Sequence, residues 1–234
     1  MSGLGAIFEN DLKKIIALST LRQLGLIIRS LRIGFVELAF FHLLTHALFK
    51  SLLFICAGYI IHGINDNQDI RSIGSIIIIS PLLCIYFNIR NLSLCGMPFL
   101  AGFYSKDLIL EIILINDFNL LIVVLYFVAT LFTVIYTFRL IYFRIVDNLK
   151  VRRYYCYNDE DYTILGRIII IIFMVVVGGS FMSWIIFMDF TGIILRIYLK
   201  TITIVLCFFG VLIGLSLGYF KSLNYHFTRK SVII

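Results

Sequence analysis

The chain has 234 residues, of which 61% are apolar and only 14% charged, with a mean hydropathy of +1.03 and a formal net charge of +7. That is more apolar surface than a water-soluble domain of this length can bury, so a soluble enzyme is excluded. Apolar runs of about 20 residues also exclude a β-barrel, whose strands are short and alternating.

The expected architecture is all-α: a polytopic helical membrane protein of about seven spans, near 12–33, 37–62, 72–88, 91–115, 119–144, 165–188 and 201–220. The basic residues are scattered between these runs. They serve as interface anchors and topology signals, and no nucleic-acid partner is expected. The mixed-charge start, Met1 to Lys14, lacks the pattern of a cleavable signal peptide. The loop cations favour the side carrying Arg32, Arg90, Arg144, Lys150, Arg152, Arg153, Lys221, Arg229 and Lys230, which is read as the cytoplasmic or matrix side.

Span one carries Arg22, Arg29 and Arg32 at spacings that predict a single basic face. Three arginines there without acidic partners would be very costly. Span two carries His42, His46 and Lys50, each one helical turn beyond the last. Lys50 falls near the middle of the run, where insertion of a lysine costs roughly 2.5 to 3.5 kcal/mol. Ionisable residues tolerated at that depth usually serve ion or proton movement.

Span four contains Gly96, Pro98 and Gly102, which predict a helix broken within the span. Lys106 and Asp107 follow the break, and such breaks mark ion sites in transporters. A helix end at the interface would explain the same pair. Arg139, near the end of span five, is expected to snorkel to the headgroups. A polar loop over 146–163 carries Lys150, Arg152, Arg153, Asp159, Glu160 and Asp161. In the last two spans, Gly178, Gly179, Gly210, Gly214 and Gly218 are spaced for close helix packing. The five cysteines show no paired spacing and read as small apolar fillers, with no metal or iron–sulfur set expected.

Two membrane lysines on different helices, one with two histidines on its face, suggest a proton relay. A buried lysine holds or releases its proton according to whether a carboxylate stands near, and histidine titrates near neutrality. A satisfied polar packing seam remains the other reading of the His–His–Lys face. No nucleotide loop, nucleophile elbow or metal cluster is present, so the chain has no independent catalytic residue.

Three stretches resemble one family. They are Gly3-Leu4-Gly5-Ala6 with Phe8 to Leu21, Ala39 to Phe54 around the two histidines and Lys50, and Leu94 to Asp107 around the break. These stretches are similar to subunit 5 of the mitochondrial proton-pumping NADH:ubiquinone oxidoreductase, respiratory complex I, in the arthropod style. The resemblance implies an antiporter-like bundle in the membrane arm, in the mitochondrial inner membrane. It implies that Lys50 is the central proton carrier, with His42 and His46 beside it, and that Lys106 with Asp107 is the outward-side proton site. The second antiporter-like repeat would occupy 1–145, two further spans 164–222, and a truncated tail 223–234.

NADH, FMN, the iron–sulfur clusters and ubiquinone would be bound by other subunits, with other membrane-arm subunits and lipid as the partners. The family subunit is more than twice as long, so this chain is expected to be a fragment. The resemblance also implies serine or another small residue at Arg22, Arg29, Arg32 and Arg90. Invertebrate mitochondria read AGA and AGG as serine, so a mitochondrial gene translated by the standard code would show arginine there. The alternatives are a non-functional truncated copy, the large subunit of a sodium/proton antiporter, or a structural membrane protein.

Overall fold

An apolar chain in a bilayer must close its backbone hydrogen bonds on itself, and this chain does so with helices. The computed structural model describes residues 1–64, 67–71, 73–74, 76–115, 119–146, 162–187 and 197–231. The expected loop charges at Lys150, Arg152, Arg153, Asp159, Glu160 and Asp161 fall outside them, as do Cys156, Arg196 and the last three residues.

The helices among the described residues are α1 (Ser2–Phe8), α2 (Leu12–Ile33), α3 (Val36–Gly63), α4 (Ile76–Ile79), α5 (Pro81–Cys95), α6 (Ala101–Ile115), α7 (Leu120–Ile141), α8 (Tyr162–Ile186) and α9 (Ile197–Ser231). A π-helical turn, Tyr142–Val146, extends α7. Among the described residues, four helical stretches are long and apolar enough to cross a membrane: Val36–Gly63, Leu120–Ile145, Gly166–Ile186 and Leu199–Ser222. Helix α2 has the length, at 22 residues, but carries five basic residues.

The third and fourth predicted spans are divided differently in the structure. No loop falls at residues 89–90. Pro81, which needs no amide partner at a helix start, opens α5, and the helix runs on through Arg90 to Cys95. The five residues 96–100 are not helical, and α6 begins at Ala101. The break falls at residues 96–100, as Gly96 and Pro98 predict, and divides two helices of 15 residues, each about 22 Å long. Arg90 is a buried mid-helix residue, so it leaves the set of loop cations.

The packing is inverted relative to a soluble protein. Phe40, Leu43 and Phe54 lie exposed on one side of α3, while His42, Thr45, His46 and Lys50 are buried on the other. On α8 and α9, Ile170, Trp184, Phe208 and Leu212 face outward. That arrangement suits lipid outside and polar contacts inside. The glycine pattern of α9 is used against α7: a Cβ at Gly210 would meet Val134, at Gly214 Ile135 and at Gly218 Tyr142.

Gly102 is the tightest of these approaches. A Cβ built on it would overlap the Ser93 carbonyl oxygen, so glycine there lets α6 lie against the end of α5. Gly102→Ala is expected to destabilise the fold by about 2 kcal/mol, the scale of overpacking. Gly58→Ala, whose added Cβ meets nothing within 4 Å, is the control. Thermal unfolding in detergent checks this, with a lower midpoint for Gly102→Ala alone.

Candidate functional site

The break builds the first half of the site. Gly96 takes a left-handed conformation, φ +82°, that favours glycine, and ends α5 with its amide on Ser93 O, while the Met97 amide reaches Leu92 O. Pro98 lies within the gap, and Phe99 also has positive φ. The Cys95 carbonyl is thereby freed from the helix ladder. Lys106, two turns into the chain beyond the break, donates to it from Nζ at 3.1 Å. The same Nζ donates to Thr133 Oγ1 on α7 at 3.3 Å, and Thr133 in turn donates to Thr130 O. Asp107 makes no ion pair with Lys106. It borders a cavity of about 240 Å³ between the break and α9, together with Thr203 and Cys207. One turn on, Glu111 faces Lys200 of α9 at a loose 3.9 Å.

Helix α3 builds the second half. His42, His46 and Lys50 share a buried face as their spacing requires. Lys50 Nζ donates to Ile16 O and to Ser19 Oγ on α2, both at 2.8 Å, and lies 5.7 Å from the Phe54 ring centre. Ser19 donates its own hydrogen to Ile16 O. The His46 ring packs edge-on against Phe49 with centroids 5.6 Å apart, and its Nε2 has no hydrogen-bond partner. The two imidazole centroids are 6.4 Å apart.

At the other end of the stripe His42 touches α6, with Nδ1 3.0 Å from Ser105 Oγ, one residue before Lys106. A cavity of about 10 Å³, the size of one water molecule, lies between His42, Lys106, Tyr126 and Thr130. The stripe therefore runs from the Lys106 site at one end to α2 at the other. Eight residues of helix, about 12 Å, separate its ends.

Sequence reasoning placed Arg139 wrongly and missed a second interruption. Arg139 does not snorkel; it is 1% exposed. Helices α1 and α2 are separated by the extended stretch Glu9-Asn10-Asp11, and the Arg139 guanidinium closes that stretch. It donates to Ile7 O, to Glu9 O at 2.6 Å and to Asn10 Oδ1 at 3.0 Å. Lys221 adds bonds to Phe8 O and Asn10 Oδ1. The stretch is tied on its other side by a short bridge to residues 68–70, with Leu12 N to Gln68 O at 2.8 Å and Ile70 N to Asn10 O at 2.9 Å. In that loop, burial raises the Asp69 carboxyl, but hydrogen bonds from Arg71 outweigh it and hold the group below the usual carboxylate range. The Asn-Asp pair just before the long helix was the available signal, since such residues leave the helix to bond backbone groups.

The arginines predicted as one face on α2 meet different surroundings. Arg29 and Arg32 are exposed, whereas Arg22 is buried with no hydrogen bond from any guanidinium nitrogen, although the Tyr136 hydroxyl lies near. Arg90, fully buried, donates to Asn91 Oδ1 and lies 5.8 Å from the Phe87 ring centre, and its Nε and one Nη have no hydrogen-bond partner.

Known proteins share this chain's sequence and shape. Residues 1–133 match the family described as NADH:quinone oxidoreductase/Mrp antiporter, and residues 136–233 match the NADH dehydrogenase subunit 5 C-terminus. NADH-ubiquinone oxidoreductase chain 5 of Anopheles quadrimaculatus is 50% identical over 99% of this chain, and that of Locusta migratoria 52% over 94%. The Bos indicus protein of the same name is 36% identical over 97%. The chain spans 38–40% of the length of these relatives.

Among solved structures, the fold matches a chain of the archaeal membrane-bound sulfane sulfur reductase with a TM-score of 0.69. The match is at 22% identity, over 96% of this chain and 41% of that one. It also matches a chain of the Mrp complex from Dietzia, with a TM-score of 0.68 at 21% identity, over 95% of this chain and 27% of that one.

Replacing Arg139 by methionine keeps most of the side-chain volume but removes the bonds to Ile7 O, Glu9 O and Asn10 Oδ1 that the guanidinium makes. The expected result is a loss of about 3 kcal/mol, as for stranding buried polar groups. Faster proteolysis near residues 9–11 in detergent would register it.

Proposed function

The chain belongs to the NADH-ubiquinone oxidoreductase chain 5 family, and from that premise we propose that it works as part of an antiporter-like, proton-translocating subunit of that enzyme. Its place would be the membrane arm in the mitochondrial inner membrane, with neighbouring membrane-arm subunits and lipid as partners. Residues 1–145 would form an antiporter-like repeat and 164–222 two further spans. NADH, the flavin, the iron–sulfur clusters and ubiquinone would be held by other subunits. This chain would move protons, coupling electron transfer elsewhere in the enzyme to transport.

The observation that carries the reading is the buried stripe on α3. It joins Lys50, held by α2, to His42, held beside Lys106 at the break. An ammonium at membrane depth is costly, and at both lysines it is met by carbonyl and hydroxyl dipoles, with no carboxylate within ion-pairing distance among the described residues. Such sites can gain and lose a proton without breaking a fixed ion pair. His46, with a free ring nitrogen, stands between Lys50 and His42. Asp107, on the cavity side of the break, would receive or deliver protons at the outer end.

In the full-length subunit within the assembled enzyme, Lys50→Ala should slow proton pumping roughly 100-fold, the scale of losing a positioned acid–base group. Lys106→Ala should do the same. Normal pumping by either variant, measured in sealed vesicles, would remove that lysine from the relay.

A second reading, that the gene is decoded by a mitochondrial code, is favoured by the two buried arginines. Arg22 and Arg90 place guanidinium groups among the relay helices with unpartnered nitrogens. A serine hydroxyl at either place would close on the helix carbonyl one turn back. On α2 itself, Ser19 and Ser30 close their hydroxyls on Ile16 O and Ile27 O. Tandem mass spectrometry of the subunit from organelle membranes decides: serine is expected at positions 22 and 90, and arginine at both would refute this reading.

A further inference from the structure

His42 is where α3 meets both α2 and α6. Its Nδ1 lies 3.0 Å from Ser105 Oγ on α6, and its Nε2 lies 3.4 Å from Gln23 Oε1 on α2. All three side chains are enclosed: His42 is 2% exposed, Gln23 1% and Ser105 0%. Thr45, one turn along α3, brings its hydroxyl within 3.0 Å of the same Ser105 oxygen. Buried polar groups in a membrane protein are costly unless partnered, so a glutamine and a serine both spent on one imidazole need a reason.

We propose that Gln23 and Ser105 are positioning residues for His42, forming a cradle that keeps its imidazole hydrogen-bonded in both the neutral and the protonated state. Neutral imidazole has one donor and one acceptor nitrogen, whereas imidazolium has two donors. Gln23 Oε1 accepts in either case, so Nε2–H donates to it throughout. Ser105 is the adaptable partner, because a hydroxyl can donate or accept. In the neutral state its hydrogen points to Nδ1. When Nδ1 gains a proton, the hydroxyl turns to accept that N–H. Its own hydrogen then points to Ala101 O or Gly102 O, 3.4 and 3.5 Å away.

The proton exchanges between Nδ1 and Lys106 across the small cavity that borders both, leaving Lys106 a neutral amine while the imidazole is charged, and Ser105 keeps its own hydrogen. Only one torsion changes, and neither state strands a buried group. The charged and titratable groups around the ring are His46 on its own helix, Lys106 on α6, Arg22 on α2 and Tyr126 on α7.

This inference rests on the proton-relay reading, and one set of variants separates the two. In the assembled enzyme with the full-length subunit, protons pumped per NADH oxidised are measured for His42→Ala, Ser105→Ala, Ser105→Thr and Gln23→Leu. The amount of intact complex is measured alongside. Ser105→Ala and Gln23→Leu are expected to lower pumping roughly fivefold, the scale of one lost hydrogen bond. Ser105→Thr, which keeps the hydroxyl, should stay within about twofold of the parent. Normal pumping by Ser105→Ala overturns the cradle, and so does a Ser105→Thr enzyme that assembles but pumps as poorly as the alanine form. If His42→Ala also pumps normally, the relay reading of His42 has itself failed. Where the Ser105 variants do not assemble, Gln23→Leu decides alone, and normal pumping by it overturns the proposal.

Discussion

Within a bilayer no water is at hand to satisfy a stray carbonyl, amide or charge, and each one left alone costs several kcal/mol. The arrangement of this chain follows from where such groups arise and what answers them. The break after Cys95 frees a carbonyl, and Lys106 answers it. The extended stretch between α1 and α2 frees several, and Arg139 answers them from α7. Lys50 is answered by α2. Helix irregularity and buried charge are the same problem, each closing the other.

Helix α7 has a special place in this scheme. Thr133 receives Lys106, Thr137 accepts from the Cys95 thiol at 2.9 Å, and Arg139 holds the α1–α2 stretch. One helix therefore touches both the lysine site at the break and the stretch that opens α2. The glycine seam of α9 keeps α7 in position from behind.

Arg22 and Arg90 stand outside this scheme. Arg139 leaves only its Nε without a partner, whereas Arg22 has no hydrogen bond from any guanidinium nitrogen and Arg90 has one, to Asn91 Oδ1. The contrast with Arg139 is informative because all three have the same chemistry. A site shaped for a guanidinium presents several acceptors to it, as the 7–10 stretch does. The surroundings of Arg22 and Arg90 present almost none.

The sequence by itself determined the membrane class, the all-helical architecture and the α3 stripe. These depend on composition and on a spacing of four within one helix, which are local properties. It also marked the break, because Gly96 and Pro98 are locally unfit for a continuous helix. Only the tertiary structure decided where the break falls relative to helix ends, since that depends on Pro81 opening α5 and on α6 lying against Ser93. Only it turned Arg139 inward, because the acceptors for that guanidinium lie about 130 residues away in the chain. The Gln23–His42–Ser105 contact has the same origin: three helices converge on one ring, and no periodicity within any one of them specifies it.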